Sequence, residues 1–181
     1  MRLRRLNRPL VVVLTGVENS GKTTIGQQLS NRMKWPMIEE AARTDHSVLA
    51  GTTSVEDLQR LQDEFIADIK AMRKRKTSEV LLCDTGGLVL DMWAREVFGQ
   101  GLARTKEAMQ LMDLHLLFHT QPEWHPDPLR TLPQLEDRLA LQSRYRERLI
   151  SSGCTFEEIL MTFSAERYAQ ARDFILQHYA A

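Results

Sequence analysis

Cysteine is scarce: of 181 residues only Cys83 and Cys154 are cysteines. Both sit in apolar stretches and neither has a partner at metal-ligand spacing. A buried, reduced pair is therefore expected, and a disulfide framework or zinc site is not. An excess of one charge is missing too, since Lys plus Arg and Asp plus Glu number 24 each. No overall field draws the chain to nucleic acid or to an anionic membrane, and neither is expected as a partner. No apolar run approaches the roughly 20 residues that span a bilayer. The basic start, Met1-Arg2-Leu3-Arg4-Arg5-Leu6-Asn7-Arg8, precedes an apolar run too short for a signal sequence. A frayed, solvated terminus and a cytoplasmic location are the expectation. Internal repeats and low-complexity segments are absent as well, and the length suits one domain spanning 1–181.

What is present begins with Gly16-Val17-Glu18-Asn19-Ser20-Gly21-Lys22-Thr23. This G-x-x-x-x-G-K-[ST] pattern follows the apolar run Leu10–Thr15 and leads into a helical stretch, Thr24-Ile25-Gly26-Gln27-Gln28-Leu29. Gly16 and Gly21 allow torsions and close approaches that a side chain blocks. The amides between them can form a concave nest for phosphate oxygens at the positive end of the following helix. Gly16 and Glu18 to Thr24 are thus candidates for binding a nucleoside triphosphate. Lys22 reaches the β- and γ-phosphates, and the Thr23 hydroxyl can ligate magnesium.

A helix is expected to about Lys34 with Ile25, Leu29 and Met33 on one face, followed by a short strand at Trp35–Ile38. Glu39, Glu40 and Arg43 come next. They either face the crevice beyond the strand's carboxyl end or begin a solvated helix. Ser54-Val55-Glu56-Asp57 resembles a capping box and opens an amphipathic helix to about Lys76, with Val55, Leu58, Leu61, Phe65, Ile69 and Met72 as its stripe. Glu79–Asp84 reads as a buried strand that delivers the Asp84 carboxylate to the crevice, where it would hold magnesium directly or through water. After the turn Thr85-Gly86-Gly87, a helix to Phe98 carries Met92 and Trp93. Core packing is the default use of Trp93, and lining a substrate pocket is the alternative.

A helix over 104–112, a strand at Leu114–His119, a helix over 133–151, a strand at Thr155–Ile159 and a helix from Ser164 complete the pattern. His115 and His119 share a strand face but lack a third ligand, so no metal is assigned to them. Between them and the next helix lies Thr120–Pro133, whose four prolines forbid regular structure. A loop of that length is expected to serve function, and Arg130 and Arg138 are the cations a transferring phosphoryl group would need. The following helix is expected to turn Leu135, Leu139, Leu141, Tyr145 and Leu149 inward, and Arg138, Arg144, Arg146 and Arg148 largely outward. Strand and helix alternate, which gives an α/β, three-layer P-loop fold with a five-stranded parallel sheet and a kinase-like lid. No N-K-x-D guanine motif occurs.

These motifs resemble the ribosylnicotinamide kinase domain of NadR-type proteins of NAD biosynthesis, grouped with small AAA-like P-loop ATPases. The resemblance runs from about Val11 to Ile159. It rests on the G-x-E-x-S-G-K form of the loop, on Glu40-Ala41-Ala42-Arg43 as E-x-x-R, on Asp84-Thr85, and on Glu123-Trp124 with Asp127 and Arg130. Gly86 departs from the family, which often carries an acidic residue there, and Asp127-Pro128 replaces an acidic-Gly pair. The resemblance implies ATP and magnesium as cofactors and transfer of phosphate to a nucleoside 5′-hydroxyl, nicotinamide riboside becoming nicotinamide mononucleotide. Lys22, Asp84, Glu40 and Arg130 would be catalytic, either carboxylate serving as base. Glu40, Arg43, Asp84, Trp93 and Asp127 would lie with the acceptor, and Thr23 and Asp84 with the metal. A nucleotide-dependent ATPase switch that binds a partner is the competing expectation.

Overall fold

The chain is described by a computed structural model that covers residues 8–75, 78–126 and 130–180. The basic start up to Asn7, together with Lys76 and Asp127, lies outside the described residues. The strands are β1 Leu10–Thr15, β2 Met37–Ile38, β3 Val80–Asp84, β4 Leu114–Phe118 and β5 Phe156–Ile159. They form one parallel sheet in the order β2-β3-β1-β4-β5. The helices are α1 Lys22–Met33, α2 His46–Leu49, α3 Val55–Arg75, α4 Gly87–Phe98, α5 Thr105–Gln110, α6 Leu135–Ser151 and α7 Ser164–Ala180. None of the described helices is long and apolar enough to cross a membrane.

The central strands read as unbroken apolar runs because both faces of a parallel sheet are covered. In β1, Leu10, Val12 and Leu14 pack with Ile25, Leu29 and Ile175 of α1 and α7. Val11 and Val13 face the other way, toward Phe65 and Ile69 of α3. The second face continues into Leu88, Met92, Met109, Leu141 and Leu149 of α4, α5 and α6. Register then aligns the carboxyl ends: Leu14 pairs with Asp84, and Thr15 with Leu117. Turns leaving β1, β3 and β4 therefore share one edge, the position where open α/β sheets hold ligands.

The expected elements are all present, with shifts of a few residues at their ends. The capping box is real, with Ser54 and Asp57 exchanging hydrogen bonds of 2.9 and 3.2 Å. The four-residue α2 was not foreseen, and where a solvated helix was one of two readings for Glu39, Glu40 and Arg43 the chain makes a single 3-10 turn at Ala41–Arg43. Cys154 is a correction: Cys83 is buried as expected, but Cys154 is partly exposed in the turn between α6 and β5.

The larger correction is on α6. Leu139, expected inward, is 46% exposed, and Arg138, expected outward, is fully buried. Its guanidinium donates to the carbonyls of Leu132 (3.0 Å), Pro133 (2.6 Å), Gln121 (3.0 Å) and Pro122 (3.3 Å), and to the Thr120 hydroxyl (3.0 Å). It also lies 5.1 Å from the Trp124 ring centroid. Prolines cannot donate, so a segment rich in them leaves carbonyls that no ladder can take up. Arg138 gathers those carbonyls from both ends of the segment. It is a strut, and its donors are not free for phosphate.

Removing it strands several buried carbonyls at once. Arg138→Ala is expected to lower unfolding free energy by about 3–5 kcal/mol in urea titrations. Arg138→Lys should recover little, because one ammonium cannot serve both ends of the segment. A loss below about 1 kcal/mol would mean that the carbonyls find other donors.

His115 supplies a pH prediction. Its ring is 2% exposed in β4, with Nδ1 3.3 Å from the Thr15 hydroxyl. Burial lowers its pKa to about 4 from 6.5. The unfolded chain thus takes up a proton at a pH where the folded chain does not. Stability from this group is full above the unfolded value and is lost as pH falls toward the folded one. The loss between pH 7 and pH 5 should be about 2 kcal/mol. Urea unfolding at those pH values should show a smaller difference for His115→Leu, and an unchanged difference would rule out a neutral buried ring.

Candidate functional site

The turn between β1 and α1 is tightly curled. Gly16 has φ +140°, and a Cβ there would stand 2.6 Å from the Phe118 carbonyl oxygen, so only glycine fits. Asn19 and Gly21 have φ of 58° and 77°, on either side of Ser20. Left-handed residues placed this way turn successive amides to one side. Among the described residues, no backbone group is recorded as accepting from the amides of Glu18, Asn19 or Gly21. With the uncapped start of α1, they make a cradle of free donors.

Lys22 folds back over this cradle and donates to the carbonyls of Gly16 and Val17, both at 2.8 Å. Desolvation lowers its pKa, opposed by the carboxylates of Glu40, Asp84 and Glu18 and reinforced by Arg43. One ammonium therefore feels four of the expected charged groups, Glu40, Asp84, Glu18 and Arg43. Asp84, at the end of β3, is 3% exposed, and its Oδ1 has no hydrogen-bond partner among the described residues. A buried carboxylate oxygen left unpaired is costly unless a cation or donor is to arrive. Thr85, next to it, has φ 74°, strained for a β-branched residue, and its buried hydroxyl is also unpaired. Thr23 lies in the first turn of α1, half-buried, and Thr24 beside it is exposed. The donor set of Asp84 and Thr23 is the hard-oxygen kind that suits magnesium.

Glu40 caps the 3-10 turn and binds Arg43 at 2.9 Å. The pair is partly exposed, while Ala42 between them is buried in a cluster with Val48, Leu58, Leu90 and Ala94. Trp93 packs half-buried against that same cluster, so it supports the turn that carries Glu40 and Arg43. Gly86 explains its own departure from the family pattern. A Cβ there would lie 2.8 Å from Val13 Cγ2, so any side chain would have to displace the core.

The proline-rich segment lies over the phosphate loop. The Glu18 carboxylate accepts from the amide of Thr131 at 2.8 Å and from that of Leu132. Asn19 Nδ2 donates to the Glu123 carbonyl at 2.5 Å, and Asn19 Oδ1 accepts from the His125 amide and from Arg130 Nη1, both at 3.2 Å. Arg130 Nη1 also donates to the His125 carbonyl. The side chains of Glu18 and Asn19, grouped by sequence with phosphate binding, are thus committed to this segment.

Sequence reasoning missed Arg167. Its buried guanidinium, from α7, donates to the carbonyls of Ser20 (2.6 Å), His119 (2.9 Å) and Met161 (2.8 Å). It ties the loop to the ends of β4 and β5, and burial pushes its pKa down to about 10. No sequence signal distinguishes it from the exposed charges that flank it. Tyr145 was expected inward as core. It is buried among Val17, Leu88, Met92 and Leu141, and desolvation, with the charges of Glu40 and Glu96, raises its pKa.

Comparison with known proteins bears on the fold. No curated protein matches the chain by sequence. Among solved structures, a NadR protein in complex with NR shares 19% identity at TM-score 0.72, over 96% of this chain and 52% of that one. A NadR protein in complex with NAD and AMP-PNP shares 18% at TM-score 0.67, over 96% and 50%. The chain thus spans about half the length of these structures. Deoxyadenosine kinase from M. mycoides shares 12% at TM-score 0.60, over 93% and 100%. At these identities the likeness establishes the fold, that of P-loop nucleoside kinases. A family model described as an AAA domain matches residues 11–167, and the chain belongs to that family.

Proposed function

We propose that this protein transfers the γ-phosphoryl group of ATP to the 5′-hydroxyl of a nucleoside, with nicotinamide riboside as the preferred acceptor. The observation that carries the reading is the unpaired, buried Asp84 Oδ1 beside Lys22, at a phosphate cradle covered by an arginine-bearing segment. A protein that only sensed nucleotide would have no use for a second carboxylate site at Glu40 and Arg43. The NadR structures with NR and with AMP-PNP support the choice of acceptor and donor.

The amides of Glu18 to Gly21 and the start of α1 hold the triphosphate, with Thr24 at the rim. Lys22 leaves the carbonyls of Gly16 and Val17 to neutralise the β- and γ-phosphates. Thr23 and Asp84 would hold magnesium, which when bound offsets charge on the transferring group. Arg43, Trp93 and Asp127 would line the acceptor subsite. The acceptor oxygen attacks phosphorus as the bond to the ADP oxygen breaks, and its proton passes to a carboxylate. Asp84 and Glu40 are the two candidates for that base, and Glu40 would have to part from Arg43 to serve. Arg130 stabilises charge on the oxygens in transit.

The test is ADP release from ATP and magnesium across a panel of nucleosides. Stimulation by nicotinamide riboside above the others is expected. Slow hydrolysis indifferent to every nucleoside would favour a nucleotide-dependent switch instead. Arg130→Ala should cut kcat about 100-fold with a much smaller change in ATP affinity. Equal losses in both would remove Arg130 from transfer.

A further inference from the structure

A carboxylate inside a loop built for anions is electrostatically misplaced unless something else occupies it. Glu18 is occupied, since both of its oxygens accept from the Thr131 amide, at 2.8 and 3.0 Å. Asn19 is engaged in a similar way. It is 7% exposed, its carboxamide nitrogen donates to Glu123, and both lone pairs of its oxygen are taken by the His125 amide and Arg130. Arg130 in turn uses one nitrogen, Nη1, for Asn19 and for the His125 carbonyl. Its Nη2 and Nε have no partner among the described residues, and they form the pair of donors that suits phosphate oxygens.

From this we infer that Asn19, seconded by Glu18, is the positioning residue that orients Arg130 for transfer. Its carboxamide binds both limbs of the proline-rich segment, Glu123 and His125 on one side and Arg130 on the other. The arginine is therefore held by the loop that receives the triphosphate, at a distance fixed by one amide group. The left-handed backbone at Asn19 directs the carboxamide outward while its own amide stays in the cradle, and asparagine tolerates that conformation better than most residues. This inference rests on the transfer reading above. It adds a residue that acts through Arg130 without touching the reacting atoms.

The experiment uses Asn19→Gly, which removes the carboxamide and keeps a residue at ease with positive φ. In a double-mutant cycle on nucleoside transfer, Asn19→Gly and Arg130→Ala should each lower kcat by about 10- to 100-fold. The double variant should be no worse than Arg130→Ala, within about 3-fold. Multiplied losses would show that Asn19 acts independently and would overturn the proposal. Hydrogen exchange on the unliganded chain gives a reading that needs no acceptor. The His125 amide should exchange at least about 10-fold faster in Asn19→Gly, and unchanged protection would equally overturn the assignment. If no nucleoside is phosphorylated but exchange rises as stated, the acceptor assignment has failed and the contact between loop and segment stands.

Discussion

Gly16 touches the end of β4. With the Phe118 carbonyl oxygen 2.6 Å from where a Cβ would be, the phosphate loop and the strand from which the proline-rich segment departs are pressed together without side chains between them. Much follows from that approach. The segment begins beside the loop, so Glu18 and Asn19 reach it with short side chains. Arg167 can span Ser20 and His119 with one guanidinium only because the two carbonyls are neighbours. Register does the same for the other wall, pairing Leu14 with Asp84 so that the carboxylate emerges level with the loop. The donor site is an edge made by three strand ends, and its precision is backbone precision.

Two buried arginines do related work at different depths. Arg138 closes the base of the proline-rich segment, and Arg167 closes the back of the phosphate loop, each by donating to carbonyls. Neither has a carboxylate partner among the described residues. Each fixed, planar set of donors serves oxygens from more than one element, which a lysine cannot do. The charge is spread over carbonyl dipoles, and burial accordingly lowers the Arg167 pKa. Arg130, on the outer side of the segment that Arg138 anchors, keeps Nη2 and Nε without partners among the described residues.

The fold was legible because its signals are repetitive. Apolar runs bounded by turns marked the strands, the capping box marked the start of α3, and four prolines marked the irregular segment. The phosphate loop was legible because glycine spacing is a statement about backbone torsion, and the torsions at Gly16 and Gly21 are as that spacing requires. Arg138 was misread for a physical reason. The inward stripe of α6 is Arg138, Leu141, Gln142, Tyr145 and Leu149, whose helical spacing is regular. Residue type overrode periodicity: an arginine was assumed solvated, and Leu139 was assigned inward in its place. The signal that could have corrected this was the proline count just upstream, since carbonyls without ladder partners require donors from elsewhere.

The acceptor side is harder to read because side chains make it. Glu40 and Arg43 were open to two readings, and both describe part of the outcome. They begin a turn that is half in solvent, yet their charges act on Lys22 together with Asp84. What places them is Ala42, buried between them, and Trp93, packed against the same cluster from α4. Trp93 packs half-buried against that cluster, so part of its ring supports the wall that would meet an acceptor. Gly86 narrows that wall further, because Val13 fills the space a side chain would need. A chain with an acidic residue at that position must rebuild the packing between β1 and α3. If the acceptor lies at this wall, as proposed above, its choice is coupled to the packing of Val13 and the Ala42 cluster. The glycine pattern announces the donor through backbone torsion alone, whereas the Glu40–Arg43 pattern depends on Ala42 and Trp93 to set its side chains.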